Sequence, residues 1–174
     1  MKYLFCLLFS AYSLLLTSCS GPGDHPSPVP EQQRKEIESA VINRFNAMIK
    51  YAEAGELENI LMHFEPSGPG SYIEGGIRYA ALPDMMLNYR ATWKVKKQDY
   101  GIPVTKVHVL SPEYALVTSS STLNTTTREN VVFQPRPWSV TTLWMLKDGQ
   151  WFIHSFHQYE GEAKPVEQDQ PVKK

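Results

Sequence analysis

The chain predicts an α+β fold in which N-terminal helices pack on one face of an antiparallel sheet. Three observations lead there. Apolar residues recur every three or four positions in the first half, then the text turns to β-branched runs with alternating polarity after Gly101 and Pro103. Asp148-Gly149 sits between two such runs, and Asp-Gly is a strong short-range signal for a tight hairpin. Helices first and strands afterwards is the order of segregated layers, unlike the βαβ alternation of a parallel sheet.

The first helix is predicted to begin near Glu31. Pro30 suits a first-turn position, and Glu31 and Glu36 complement the positive end of the helix. Ile37, Ala40, Val41, Phe45, Met48, Ile49 and Ala52 make one apolar stripe, and Gly55 in Ala54-Gly55-Glu56 stops it. Leu57, Ile60, Leu61 and Phe64 mark a short second helix, closed by Pro66-Ser67-Gly68-Pro69-Gly70. Ser71 to Glu74 reads as a short strand ended by Gly75-Gly76. A third helix is expected from Pro83, with Met86, Tyr89 and Trp93 on one side, terminated by Gly101 and Pro103.

Strands follow at Val104–Leu110 and Tyr114–Thr122, around the turn Ser111-Pro112-Glu113. Thr125-Thr126-Thr127 continues the second of these or leads into a loop. Pro135 and Pro137 argue against a central strand at 134–137, which reads as loop, edge or bulge, with Arg136 solvated between them. Val140–Leu146 and Trp151–Tyr159 form the hairpin around Asp148-Gly149. From about Gly161 the chain is polar and reads as a frayed tail, 161–174.

The N-terminus carries a different signal. Lys2 is followed by a mostly apolar stretch from Leu4 to Leu16, the charge and length pattern of a secretory signal. Its ending, Leu16-Thr17-Ser18-Cys19, resembles the lipobox of bacterial lipoproteins. That resemblance implies removal of 1–18, lipid attachment at Cys19, and a lipid-anchored, extracytoplasmic place in the bacterial cell envelope. Residues 19–30 are dense in Pro and Gly and read as a tether, reaching about 30–35 Å if extended. The folded domain is then 31–160. Cys6 would leave with the signal, so Cys19 is the sole mature cysteine and no internal disulfide forms. The net charge of the whole chain is −1, which gives no broad positive field for nucleic acid.

Ala54-Gly55-Glu56 after the first helix, Tyr114-Ala115-Leu116-Val117-Thr118 on a strand, and Asp148-Gly149-Gln150-Trp151-Phe152-Ile153 running on to His157 carry a second resemblance. In this order and spacing they resemble the SnoaL-like proteins of the nuclear transport factor 2-like superfamily. The resemblance covers about residues 33–160. It implies a cone-shaped, cystatin-like fold with a curved antiparallel sheet around a pocket, often dimeric, and it transfers no function, since one such fold hosts many activities.

Unbroken alternation places Leu146 opposite Trp151, Trp144 opposite Ile153, Thr142 opposite Ser155 and Val140 opposite His157. One face then carries Trp138, Trp144, Trp151, Ile153, His157 and Tyr159, and the resemblance makes that face the concave one. The pocket candidates are Tyr72, Glu74, Trp93, Trp138, Trp144, Trp151, His157 and Tyr159. His157 is the catalytic candidate, because imidazole serves as acid or base near neutral pH. Tyr89 and Trp93 read first as core. The other face carries Leu143, Met145, Phe152 and Phe156, and is expected to be covered in a homodimer.

His154 and His157 fall on opposite faces under this alternation, and no Cys or Asp cluster completes a metal site. No P-loop, dinucleotide fingerprint or Gly-x-Ser-x-Gly motif occurs, so no cofactor is expected. Three functions stay open. The domain binds a small, partly apolar molecule in an aromatic cavity. Alternatively it is a cofactor-free acid–base enzyme, of isomerase or dehydratase type, using His157. Or it is a protein-interaction module using its outer face.

Overall fold

The computed structural model describes residues 28–66 and 70–166. The expected signal peptide, Cys19, the expected tether up to residue 27 and the expected tail beyond residue 166 lie outside the described residues.

Helix α1 (Glu31–Glu53) opens directly after Pro30 and buries Ile37, Val41, Phe45, Met48, Ile49 and Ala52, the expected stripe. Val41 and Phe45 are fully enclosed. Helix α2 (Leu57–Leu61) follows, burying Ile60 and Leu61. Strands β1 (Tyr72–Glu74) and β2 (Ile77–Tyr79) form a small hairpin across Gly75-Gly76. Helix α3 (Leu82–Thr92) packs through Leu82, Met85 and Tyr89. It is shorter than expected. Trp93 already has extended backbone, and the next residues form β3 (Val95–Asp99). The sequence hides this strand because it lies at a sheet edge and exposes Lys96, Lys97 and Asp99.

Strands β4 (Val104–Ser111), β5 (Tyr114–Thr127), β6 (Val132–Lys147) and β7 (Gln150–Glu160) complete one curved sheet. Its order is β2-β1-β7-β6-β5-β3, with β4 also paired to β5. β3 takes the C-terminal part of β5 and β4 the N-terminal part. All pairings are antiparallel except β1 with β7, which is parallel, so the sheet is mixed and not purely antiparallel as expected. The β6–β7 turn has φ of 51° at Asp148 and 75° at Gly149, the positive values of a type I′ turn.

Two further expectations fail in instructive ways. Residues 134–137 belong to β6. Arg136 and Pro137 pair with Leu123 and Thr122 of β5, and Pro135 falls at a register shift, where no ladder donor is required of it. The chain after β7 does not fray at Gly161. It runs on beside β6 in the direction of β7 as far as Val166, with Gly161 N–H donating to Pro137 O, Gln134 N–H to Lys164 O, and Val166 N–H to Val132 O.

The largest departure lies in β7. Leu146 faces Trp151 and Trp144 faces Ile153 as expected, but Leu143 then faces Ser155, Thr142 faces Phe156 and Val140 faces Gln158. His154 is one extra residue, a β-bulge, and it turns every later side chain to the opposite face. Local contacts hold it there. Ser155 Oγ and Phe156 N–H both donate to Ser71 O, at 2.8 and 2.9 Å. Gly70 lies directly against the bulge, so a Cβ at this position would sit 1.7 Å from His154 O. Phe156 consequently points into the core, 5% exposed, while Tyr159 is 60% exposed.

Candidate functional site

The bulge decides which residues line the interior. Past it, Phe156, Gln158 and Glu160 face inward beside Tyr72 and Glu74 of β1, whose register matches Tyr72 to Phe156 and Glu74 to Gln158. His157 pairs with Ile73 and is exposed on the outer face, its Nε2 3.3 Å from Ser71 Oγ. Tyr159 lies outside as well. Neither can act in the cone, which corrects the assignment of His157 as its catalytic group.

An inner cavity of about 50 Å³ lies between α1, α2, α3 and the sheet. Met48, Ile49, Ala52, Ile60, Phe64 and Phe156 form its apolar end. Tyr89, Trp93, Tyr100 and Trp138 form an aromatic belt, with the Tyr100 and Trp138 rings edge to face at 4.6 Å. Glu74, Gln98, Gln158 and Glu160 supply the polar wall. Next to it is an outer cleft of about 340 Å³, bounded by β2, the end of α3 and the start of β3. Glu74, Tyr89, Trp93 and Glu160 border both spaces and form the waist between them.

Of the expected pocket residues, Glu74, Trp93 and Trp138 line the cavity. Tyr72, Trp144 and Trp151 are core instead. Trp144 is fully enclosed and donates to Thr142 Oγ1 at 2.8 Å, and the Tyr72 ring meets that of Phe64 at a tilt of 50°. Tyr89 is core and lining at once.

The polar wall is a connected chain of hydrogen bonds. Gln158 Nε2 donates to Glu74 Oε1 at 3.1 Å and to Glu160 Oε1 at 2.9 Å, bridging two carboxylates. Glu160 Oε2 accepts from Arg136 Nη2 at 2.7 Å and Nε at 3.2 Å, and Arg136 Nη2 also donates to Thr125 Oγ1. Arg136, expected in solvent, is 6% exposed. Burying it requires a counter-charge, and Glu160 provides it. Tyr100 OH donates to Gln98 Oε1 at 2.8 Å.

Glu74 is different. Among the described residues no cation is bonded to its carboxyl, and Tyr89 hydrogen-bonds to it. Burial lifts it to about 7; the Tyr89 bond pulls the other way and the Glu160 charge adds to the rise. Burial also holds the Tyr89 hydroxyl well above its ordinary value, with Glu74 reinforcing it. The site thus pairs a carboxylate fixed against a guanidinium with a carboxyl poised to gain or lose a proton near neutrality. Trp138 Nε1, buried in this wall, has no hydrogen-bond partner among the described residues. Among those residues, no group of three or more His, Cys, Asp or Glu gathers to hold a metal.

This architecture is the NTF2-like fold, a few helices packed on a curved sheet around an inward-facing site. A hexachlorocyclohexane dehydrochlorinase (LinA type 2) is similar, with a TM-score of 0.63 and 11% identity over 83% of this chain and 100% of that one. A candidate scytalone dehydratase from Novosphingobium aromaticivorans gives 0.64 at 9% identity, over 82% of this chain and 97% of its own. An NTF2-like protein of unknown function from Shewanella oneidensis gives 0.55 at 14%, over 69% and 96%. No protein-family model and no curated protein sequence matches the chain. At these identities the likeness shows the fold alone.

Proposed function

We propose that this chain is an extracytoplasmic lipoprotein, attached to the bacterial cell envelope through lipid on Cys19, whose single domain binds a small, partly apolar molecule in the cone. The observation that carries the binding reading is the waist. Glu74, Tyr89, Trp93 and Glu160 join an inner cavity with an apolar end and a polar wall to a roomier outer cleft. Convergent polar groups in an otherwise apolar and aromatic concavity are the usual make-up of a small-molecule site. The cleft has the volume for a ring-sized ligand, and the inner cavity takes only a few water-sized groups. A thermal-shift screen of the secreted Cys19→Ala protein against small cyclic compounds tests this. Stabilisation by a subset that disappears in Trp93→Ala supports it, and an empty screen together with no effect in direct binding measurements rules it out. Palmitate labelling that is lost in Cys19→Ala tests the anchor.

Acid–base catalysis is the second reading, and the Glu74 carboxyl favours it. A group lifted to about 7 both accepts and donates protons at neutral pH. In this reading Glu74 takes the role first given to His157, and Tyr89 and Gln158 orient it. Turnover that is lost in Glu74→Gln but retained in His157→Ala would establish it. For the outer face we retain the homodimer. Leu116, Leu143 and Met145 are half-buried there beside exposed Tyr159. A molecular-mass measurement showing only monomer at micromolar concentration excludes it.

A further inference from the structure

We infer that the site takes a primary ammonium on an apolar ring or chain, its head resting against the Glu74 carboxyl at the waist and its apolar body lying in the outer cleft. The inference rests on the binding reading above and names the chemistry of its ligand.

The hydrogen-bond inventory of the wall leads to it. Most side-chain donors of the wall are spent on the wall itself. Both amide hydrogens of Gln158 go to carboxyl groups, one to Glu74 and one to Glu160. The Tyr89 hydroxyl goes to Glu74, and the Tyr100 hydroxyl to Gln98 Oε1. Arg136 Nη1 and Trp138 Nε1 are closed off from any entering molecule. The amide nitrogen of Gln98 is the donor that remains. The acceptors are not spent. A carboxylate accepts about four bonds, and Glu74 receives those of Gln158 and Tyr89. Because both of these partners line the cavity, the carboxyl they hold stands at its wall. Glu74 also borders the outer cleft and is only partly buried, so a ligand entering the cleft meets it. A wall with spare acceptors and few donors calls for a group that donates. An ammonium donates three bonds and accepts none.

Charge points the same way. Arg136 and Glu160 neutralise each other at 2.7 Å, so neither is left to answer a ligand's charge. Glu74 is the carboxyl left over, and among the described residues no cation is bonded to it. Charges taken out of water are found paired, and a ligand ammonium supplies the partner. An anion would instead meet two carboxyl groups. Lys94 also borders the cleft, but it is exposed, and solvent screens it. Size and surface agree. The inner cavity of about 50 Å³ suits a head of –NH₃⁺ size better than a trimethylammonium. The Tyr89 and Trp93 rings, 6.1 Å apart, border both spaces, and aromatic rings accommodate a cation as well as an apolar body.

An ammonium binds the ionised form of Glu74, so its binding is linked to that proton. Glu74 shares its two spaces with Tyr89 of α3, Tyr79 of β2, and Glu160 of β7 with Arg136 of β6 behind it. Tyr100, after β3, and Lys94, between α3 and β3, border them as well, and the charge of Glu53 in α1 is felt at Tyr100. α1 and α2 present only apolar residues to the cavity itself. Among these groups Glu74 is the one lifted into the range from pH 6 to 8.5. Titrating near 7, about one-tenth of it is ionised at pH 6 and nearly all at pH 8.5. Affinity for an ammonium therefore rises about tenfold across the range, and binding at pH 6 releases close to one proton. A neutral alcohol bonds to either form of the carboxyl and shows neither effect.

The test is calorimetric titration of the secreted Cys19→Ala protein with cyclohexylammonium, cyclohexanol, methylcyclohexane and cyclohexanecarboxylate at pH 6 and pH 8.5. The pH 6 titration is repeated in two buffers of different ionisation enthalpy to count protons. The expected result is that cyclohexylammonium binds tightest of the four at pH 8.5, weakens about tenfold at pH 6, and releases close to one proton there. Glu74→Gln, which keeps the side chain's shape, should weaken it about tenfold or more at pH 8.5 and abolish the pH dependence. Preference for the alcohol or the carboxylate overturns the inference and leaves the binding reading standing. So does methylcyclohexane binding as tightly as the ammonium, or ammonium binding that neither pH nor Glu74→Gln alters. If none of the four binds at millimolar concentration, the inference falls, and an empty result in the wider screen above takes the binding reading with it. Should Glu74→Gln not fold, the proton count, made with Glu74 in place, still decides.

Discussion

Replacing Glu74 by Gln should stabilise the protein at high pH and do little at low pH. The amide keeps the shape of the side chain and still accepts from Tyr89 and Gln158, but it cannot ionise. In the wild type, the carboxyl titrates near 4.5 when unfolded and about 7 when folded. Below pH 4.5 it is protonated in both states and folding bears no cost. As pH rises the unfolded chain ionises first, and stability is lost until the folded protein ionises too, near 7. At 1.36 kcal/mol per pH unit the full loss is about 3 kcal/mol, of which about 2–3 kcal/mol falls between pH 5 and pH 8. Urea unfolding of both proteins at the two pH values gives the difference of differences, in which every other titrating group cancels to first order. The stability gap in favour of Glu74→Gln should widen by about 2–3 kcal/mol on going to pH 8, on the order of 10 °C in Tm for a domain of this size. A gap that stays constant within about 0.5 kcal/mol, or narrows, would refute the placement of Glu74 in a desolvated wall.

The bulge is tested by adjacent residues: Phe156→Ala should cost about 3–5 kcal/mol, and His157→Ala should stay within about 0.5 kcal/mol, by urea unfolding. The reverse ranking would restore unbroken alternation in β7. Arg136→Met leaves Glu160 without its cation and should cost about 3 kcal/mol at pH 8. The double variant Arg136→Met/Glu160→Met should recover most of that loss, and a strictly additive result would show that the pair is not coupled.

The helical half of the fold is legible because its signals are redundant. The α1 stripe, Pro30 and Gly55 all say the same thing, and each is a local property. The β6–β7 turn is legible for the same reason, and so is the register next to it, since Leu146 against Trp151 follows from a two-residue loop. Register fails at His154, five residues past Gly149, because an alternation rule has no memory of a bulge, and a bulge carries no obligatory Gly or Pro. One signal was present. Trp151 and Ile153 are two apart, but the next buried apolar residue, Phe156, is three further on, which an unbroken strand does not produce. Arg136 was legible too. It keeps the even spacing of Trp138, Val140, Thr142 and Trp144, all buried on one face of β6, and only the flanking prolines suggested a loop. The parallel pairing of β1 with β7, and hence the meeting of Glu74 with Gln158, was not legible, because it joins segments more than 80 residues apart through a three-residue strand.

That unread pairing and the bulge together determine the chemistry of the site. With His154 in register, the inward set would be Ser155, His157 and Tyr159, and Glu74 would face an imidazole in a wall with no buried cation. One added residue exchanges that set for Phe156, Gln158 and Glu160. Glu160 then reaches Arg136 at the foot of β6, and Gln158 comes level with Glu74. The two carboxyl groups are held by one amide yet sit in unlike surroundings: one is matched by a buried guanidinium, and the other, among the described residues, is bonded to a phenol and an amide. This asymmetry leaves Glu74 as the side chain free to answer a ligand, because any change of charge at Glu160 would leave Arg136 buried and unpaired. A bulge set against Gly70, on the strand that neighbours Arg136's own, is therefore as much a part of the site as the residues that line it.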